Sequence, residues 1–323
     1  MNGIVTGALR ASWKLPFING LTSRRPIVLL YHGTPPSEDG VSMPADAFEQ
    51  HIQFLTRHFD CVPLGDRRKR RAFDRIRVAV TFDDGFRNNA TIAVPVLRKY
   101  RVPATFFVCS RHAGTGRYLW FAYLQALESH FPGDGFSFRG RFLDMSPAQR
   151  SASMGRLRNW LLELTPHPMA MYSAIENELP RLEDFISAEY LSEHYAGMTA
   201  EQIREVASDP LFTIGAHTAD HPFLTKCQAD EVIRQLETNR QWIEGIVEKR
   251  CGGVAYPAGD YDDDVLDHCH DLGFDEGYAL TPRSGNRPEL QVPRVGVYST
   301  SLDVLGMKVQ WGNVLRAVRY PIG

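Results

Sequence analysis

The chain has only five cysteines in 323 residues, at positions 61, 109, 227, 251 and 269, and no Cys-x-x-Cys pair. An odd, widely spaced set argues against a disulfide framework and against a zinc ribbon, and buried thiols are the expectation. Cys109, inside the run ATFFVCS, reads as a core residue because free cysteine packs as a small hydrophobe. There is no excess of positive charge: 36 Lys and Arg face 38 Asp and Glu, for a formal net charge of -2. Such a balance lacks the field with which duplex-binding proteins neutralise phosphates, so nucleic acid is excluded as an expected partner. Apolar runs of about 18 residues, the length that crosses a bilayer, are missing. A secretory signal pattern is missing too, since Arg10 and Lys14 interrupt the N-terminal stretch and no small-residue cleavage site follows; the expectation is a cytoplasmic protein. Neither internal repeats nor low-complexity tracts stand out.

At 43% hydrophobic and 23% charged residues, the composition is that of a globular chain able to bury a sizeable core. Short apolar runs bounded by turn residues recur at 26–32, 78–82, 104–108, 212–217, 253–257, 277–280 and 294–297. Runs of this length and composition suit buried parallel strands. Between them, apolar residues at three- and four-residue steps predict helices over Ala45 to Phe59 and Ala229 to Glu248, so the fold class is α/β. Helix starts are signalled by Thr199 with Glu201 and Gln202, and by Pro44 with Asp46. From about Gly114 to Met198 the alternation breaks, and Trp120, Phe121, Leu124, Leu127, Leu157, Trp160, Leu161 and Leu164 predict a helical insertion between two strands. Residues 1–25 form an amphipathic N-terminal segment and 26–323 the main domain. The run Arg67 to Arg71 reads as a solvated loop, with contact to an anionic surface as the competing role.

Two strand ends carry chemistry. VAVTFDDGF ends an apolar run with adjacent carboxylates and a glycine, a common turn when taken alone. FTIGAHTADHPFL ends another with His217 and His221 four apart. Two imidazoles at that spacing can share a metal, and a carboxylate from another strand would complete a two-His-one-carboxylate set with open positions. Thr218 can support a ligand, meet a substrate oxygen or simply stabilise the turn.

The motifs TFDDG (81–85), PATFFV (103–108), HTADH (217–221) and YPAG (256–259) occur in the order and rough spacing of the polysaccharide deacetylase family, carbohydrate esterase family 4, which the chain resembles over nearly all its length outside the insertion. The resemblance implies a deformed (β/α) barrel of about seven strands with its site at the carboxyl ends of the strands. It implies Asp83 as general base and Asp84, His217 and His221 as ligands of a divalent cation, with zinc as the default ion. Its reaction is removal of N-acetyl groups from a glycan, whether polymer, lipid-linked or nucleotide-linked.

The chain departs from the family pattern twice. No histidine follows Gly285, so the late Leu-x-x-His acid is missing. The candidate acid is His32, at the end of LLYHGTP, as in the poly-N-acetylglucosamine deacetylases, whose motif order is the most similar. The motif arginine before the YPAG segment is also missing, and Arg294 in VPRVGV is the candidate substitute. The backbone N–H of Ala258 is a candidate oxyanion donor. Tyr256 and Trp120 are candidate sugar-stacking aromatics, with core packing as their default role. Two alternatives stand beside this reading: a deacylase of a non-sugar amide on the same barrel, and an inactive glycan-binding module. Apolar residues 4, 9, 13 and 17 lie among Arg10, Lys14, Arg24 and Arg25, and a similar pattern at 308–319 adds possible peripheral contact with the inner membrane face.

Overall fold

The computed structural model describes residues 26–37, 42–66, 75–283 and 285–319. The N-terminal segment 1–25 and the basic run 67–71 lie outside the described residues, as do the side chains of residues 311 and 313–319.

Eight parallel strands form the main sheet: β1 (Ile27–Tyr31), β2 (Asp60–Cys61), β3 (Arg77–Phe82), β4 (Ala104–Val108), β7 (Phe212–Ala216), β8 (Gly253–Ala255), β9 (Glu276–Ala279) and β10 (Val292–Gly296). Their order is β1-β10-β9-β8-β7-β4-β3, and β3 pairs back onto β1, which closes a seven-stranded barrel; β2 is an extra strand on β3. The seven apolar runs of the sequence are these seven strands. The architecture is the expected deformed (β/α) barrel.

The pleat decides which side chains reach the barrel axis, because neighbours in a strand alternate faces. Ile27, Leu29 and Tyr31, like Val78, Val80 and Phe82, belong to the large core between strands and helices. Val28, Phe107, Ala255, Tyr278 and Val292 form a separate small cluster at the axis. In-register pairs share a face, so Val28 and Ala79 face inward together, as do Thr105 with Thr81 and Phe107 with Gly215. Toward the carboxyl ends of the strands, the same parity brings His32, Asp83, Cys109, His217 and Arg294 to the inner side.

The outer layer is built by amphipathic helices. In α1 (Ala45–His58) Ala47, Phe48, His51, Ile52, Phe54 and Leu55 are buried on one face. The predicted helix at 200 begins with a full capping box, in which the Thr199 hydroxyl accepts from Gln202 N–H and the Gln202 side chain accepts from Thr199 N–H. Beneath the site, Phe82 stacks on Phe106 at 4.9 Å and meets Phe48 edge-on at 5.5 Å. Truncating such a fully buried aromatic costs about 3–5 kcal/mol, so this cluster fixes the end of β3.

Between β4 and β7 the chain builds α3 (Ser110–Thr115), α4 (Trp120–His130), α5 (Arg150–Leu162), α6 (Pro168–Glu178), α7 (Ala188–His194) and α8 (Ala200–Ser208). The stretch from Gly114 to Met198 is not wholly helical: β5 (Gly135–Phe138) and β6 (Arg141–Asp144) form an antiparallel hairpin. Arg139 and Gly140 both have positive φ, 49° and 75°, the two-residue turn that matches strand twist. Apart from α3 and α8, whose Ala113, Ile203 and Val206 join the barrel core, these elements share a second core that includes Trp120, Leu127, Leu157, Leu161 and Tyr172, and that reaches the barrel through Phe86 and Cys109. The remaining α-helices are α2 (Val94–Tyr100), between β3 and β4, α9 (Ala229–Val247), α10 (Asp263–Asp271) and α11 (Leu302–Arg319), with α9 close to its predicted span. No described helix is long and apolar enough to cross a membrane.

Candidate metal centre

Both carboxylates of the Asp-Asp pair reach one site because the strand ends between them. Asp83 keeps the inward parity of β3. Asp84 follows with φ +76°, a left-handed conformation that breaks the alternation and turns its side chain in as well. Gly85 then takes φ +80°, and a Cβ there would sit 2.7 Å from a Val108 methyl, so glycine is required on both counts. His217 follows β7, and its N–H donates to the Asn239 side-chain oxygen at 2.9 Å, while Asn239 Nδ2 donates to the Val108 carbonyl. Thr218 and His221 also have positive φ, and the Thr218 hydroxyl accepts from His221 N–H at 3.1 Å. Thr218 therefore stabilises the turn. Non-glycine residues in this conformation each cost about 1–3 kcal/mol, a strain that concentrates at functional sites.

Asp84, His217 and His221 are buried, and their potential ligand atoms all lie within 4.8 Å of one another. Nε2 of His217 and Nε2 of His221 are each 3.4 Å from Asp84 Oδ1. Ligands at about 2.0–2.2 Å from a shared ion sit roughly 3–3.5 Å apart, so the spacing fits. Neither carboxylate oxygen of Asp84 has a hydrogen-bond partner among the described residues, although both are buried. The tautomer fits too: His217 Nδ1 lies 2.9 Å from the Ala255 carbonyl, which only accepts, so Nδ1 carries the proton and Nε2 keeps its lone pair. This donor set suits a divalent cation.

Electrostatics separates the two carboxylates. Burial alone would raise the Asp84 pKa, but the surrounding imidazoles, His217 first and then His32 and His221, together hold it below the usual carboxylate range. For His221 burial wins over the Asp84 charge and takes its pKa down to about 4, so the ring is neutral, as a ligand must be. For Asp83 burial is the largest single influence and would raise the pKa, but the charge and hydrogen bonds of Arg294, with a smaller effect from His217, together lower it. Arg294 Nη1 and Nη2 donate to Asp83 Oδ1 and Oδ2 at 2.6 and 2.7 Å, a two-point fork between side chains that are almost wholly buried. Asp83 Oδ2 stands 3.8 Å from His217 Nε2.

A cavity of about 340 Å³ opens over Asp84 and His221. His32 and Ala258 line it, together with Trp120, Phe121, Arg158, Phe223 and Tyr298. The His32 ring stacks on Tyr298, centroids 5.9 Å apart, and its carbonyl accepts from Asn89 Nδ2. Trp120 is buried, with its indole N–H donating to the His221 carbonyl. Tyr256 must be corrected: it is fully buried away from this cavity, stacks on Tyr261 at 4.7 Å and donates to the Leu290 carbonyl. Its neighbour Ala255 faces the axis, so the pleat sends Tyr256 outward, into the core, where it cannot meet a sugar.

Three groups here were not anticipated. Tyr298 is 59% exposed, and nothing local in GVYST distinguishes it. Asn239 and Gln235 lie on the buried face of α9, and the Gln235 side chain accepts from Asp220 N–H and donates to the Asp220 carboxylate, bracing the loop between the two histidines. Polar residues interrupting an apolar helical stripe were the available signal.

A family model described as polysaccharide deacetylase matches residues 70–130 and 183–277, two segments separated by a gap inside the insertion. No curated protein sequence matches significantly. Solved structures share the fold at low identity. IcaB from Ammonifex degensii is 18% identical with a TM-score of 0.56, covering 90% of this chain and 98% of its own. The Streptococcus pyogenes deacetylase PplD, solved in complex with acetate, is 16% identical with a TM-score of 0.54, covering 88% and 98%. A de-N-acetylase from Aggregatibacter actinomycetemcomitans is 14% identical with a TM-score of 0.52, covering 88% and 99%.

Proposed function

We propose that this chain, with a polysaccharide deacetylase fold and a buried Asp-His-His set, is a metal-dependent hydrolase that removes the acetyl group from an N-acetylated sugar of a glycan or glycan precursor. The observation that carries the reading is Asp84: a buried carboxylate with no hydrogen-bond partner among the described residues, facing two imidazole nitrogens at 3.4 Å. A buried anion so arranged is stable only with a cation. Two imidazoles and one carboxylate with open positions favour zinc as the resident ion.

When bound, such a cation polarises the acetyl carbonyl and makes water a competent nucleophile near neutral pH. The protein groups do the rest. Asp83 accepts the proton of the attacking water; each of its oxygens takes one bond from Arg294 and retains a lone pair for this. Arg294 holds Asp83 ionised and fixed, which is the role the motif arginine has in the family pattern. His32, steadied by Tyr298, gives the leaving amine its proton, because an amide anion is too poor a leaving group. The Ala258 N–H faces the developing oxyanion. The products are acetate and a free amino sugar.

The test is acetate release from a panel of N-acetylated glycans together with bound-metal analysis. The wild-type protein should carry one divalent ion per chain, and His217→Ala should lose both metal and activity. Stoichiometric metal in that variant would overturn the assignment. Metal binding without acetate release from any sugar would mark a glycan-binding module instead.

We also propose a cytoplasmic location with contact at the inner membrane face. The support is the interleaving of Ile4, Leu9, Trp13 and Phe17 with Arg10 and Lys14. Each basic residue near an anionic surface contributes about 1 kcal/mol.

A further inference from the structure

The lining of the catalytic cavity has a one-sided charge. Among the described residues that line it, Asp84 and Arg158 are the only ones besides histidines and tyrosines that ionise, and Asp84 is committed to the cation. Arg158 lies on α5, held between the fully buried Leu157 and Leu161, so its backbone is anchored to the insertion core. Several other arginines of the insertion are used internally: Arg117 pairs with Glu176, Arg156 donates to Ser153, and Arg150 donates to the carbonyls of Met145, Glu128 and Phe131. Arg158 makes no hydrogen bond, ion pair or ring contact among the described residues, and its side chain is exposed at the cavity.

The charges nearby reinforce this. Asp83 and Arg294 cancel each other, so a loaded site would present a divalent cation offset by one carboxylate, with Arg158 lining the same cavity. The cavity is thus positive within a chain whose formal net charge is -2. A cleft of one sign with apolar walls, here Trp120, Phe121 and Phe223, concentrates ligands of the opposite sign.

We propose, building on the deacetylase reading, that the substrate is an anionic N-acetyl sugar, carrying a phosphate ester or a carboxylate next to the acetamido-bearing ring, and that Arg158 is the residue that selects it. The planar guanidinium fork matches either oxyanion. An uncharged chain of N-acetylated sugars would leave this cation without a partner.

The experiment compares binding of three amino sugars to the zinc-loaded protein by calorimetry: methyl glucosaminide, glucosamine 1-phosphate and the 2-amino-2-deoxyglucuronate. These lack the acetyl group, so the comparison stands whether or not turnover is seen. One of the two ligands that carry an oxyanion should bind about 10-fold more tightly than methyl glucosaminide, which carries none, the low end for a hydrogen bond to a charged group. Whichever it is identifies the phosphate or the carboxylate as the source. Arg158→Gln should abolish the preference and Arg158→Lys should keep part of it. The proposal is overturned if no anionic ligand is preferred, or if the preference survives in Arg158→Gln, which would assign it to the metal. Acetate release from neutral N-acetyl sugars, unchanged in Arg158→Gln, would leave the deacetylase reading standing and remove this one.

Discussion

The Asp83–Arg294 pair offers the most searching test of the site's design. Both side chains are almost completely buried, with exposures of 3% and 4%, and the fork bonds of 2.6 and 2.7 Å leave no room for water between them. Arg294→Met keeps length and apolar volume but leaves a buried carboxylate unpaired, a loss of about 3–5 kcal/mol. Asp83→Asn strands the guanidinium instead and should also be destabilising, less so because the amide oxygen still accepts one bond. In the double variant neither charge remains, so its stability should lie well above the sum of the two losses, with a coupling energy on the order of 3 kcal/mol. Urea unfolding of metal-loaded proteins at constant m measures this directly. Losses that add within about 0.5 kcal/mol would refute the reasoning, because groups that do not interact are additive to that degree. The pH dependence has a definite sign. In the wild type the folded-state pKa of Asp83 is lowered, so its stabilising contribution is present above the unfolded carboxylate pKa and is lost as pH falls through the folded value. Without Arg294 the largest remaining influence is burial, which raises the pKa, so the penalty in Arg294→Met should grow as pH rises and the acid limb of kcat/KM should move upward.

His32→Ala should fold and retain metal while turnover falls by about 10²–10⁴, the usual contribution of a positioned proton donor; near-normal rates would send the search for the acid elsewhere in the cavity. Flotation with anionic liposomes tests the membrane proposal: the protein should rise with the vesicles at low salt and stay behind at high salt, and a protein that stays behind at both would leave its termini with a packing role only.

How far the sequence was legible follows from which interactions are local. The seven barrel strands were readable because parallel strands covered on both sides are short, continuous apolar runs, and the spans of α1 and α9 followed from their apolar periodicity. Thr199 announced its helix through a cap that depends on only three residues of chain. The hairpin at 135–144 was missed, although FSF-RG-RFL carries the strand alternation and a turn glycine; the helix formers on both sides overrode a two-period signal. Arg294 and Tyr256 were both named for the site, and only the arginine is there. Each lies one or two residues from an axis-facing neighbour, and parity decides between them: Arg294 is two residues from Val292 and faces in, Tyr256 is one residue from Ala255 and faces out. That parity is set by the pairing of β8 with β7 and β9, and of β10 with β9 and β1, contacts between segments far apart in the chain. Within a single strand either face could have been the inner one. Arg158 is less legible still, because it reaches the cavity only through the fold of the insertion, and nothing in GRLRNW separates it from Arg156 two residues earlier, which turns back to Ser153. The metal set is local to two strand ends and could be read as chemistry. The groups that would choose among substrates are supplied by distant segments, which is why the reaction was legible in this sequence before its specificity was.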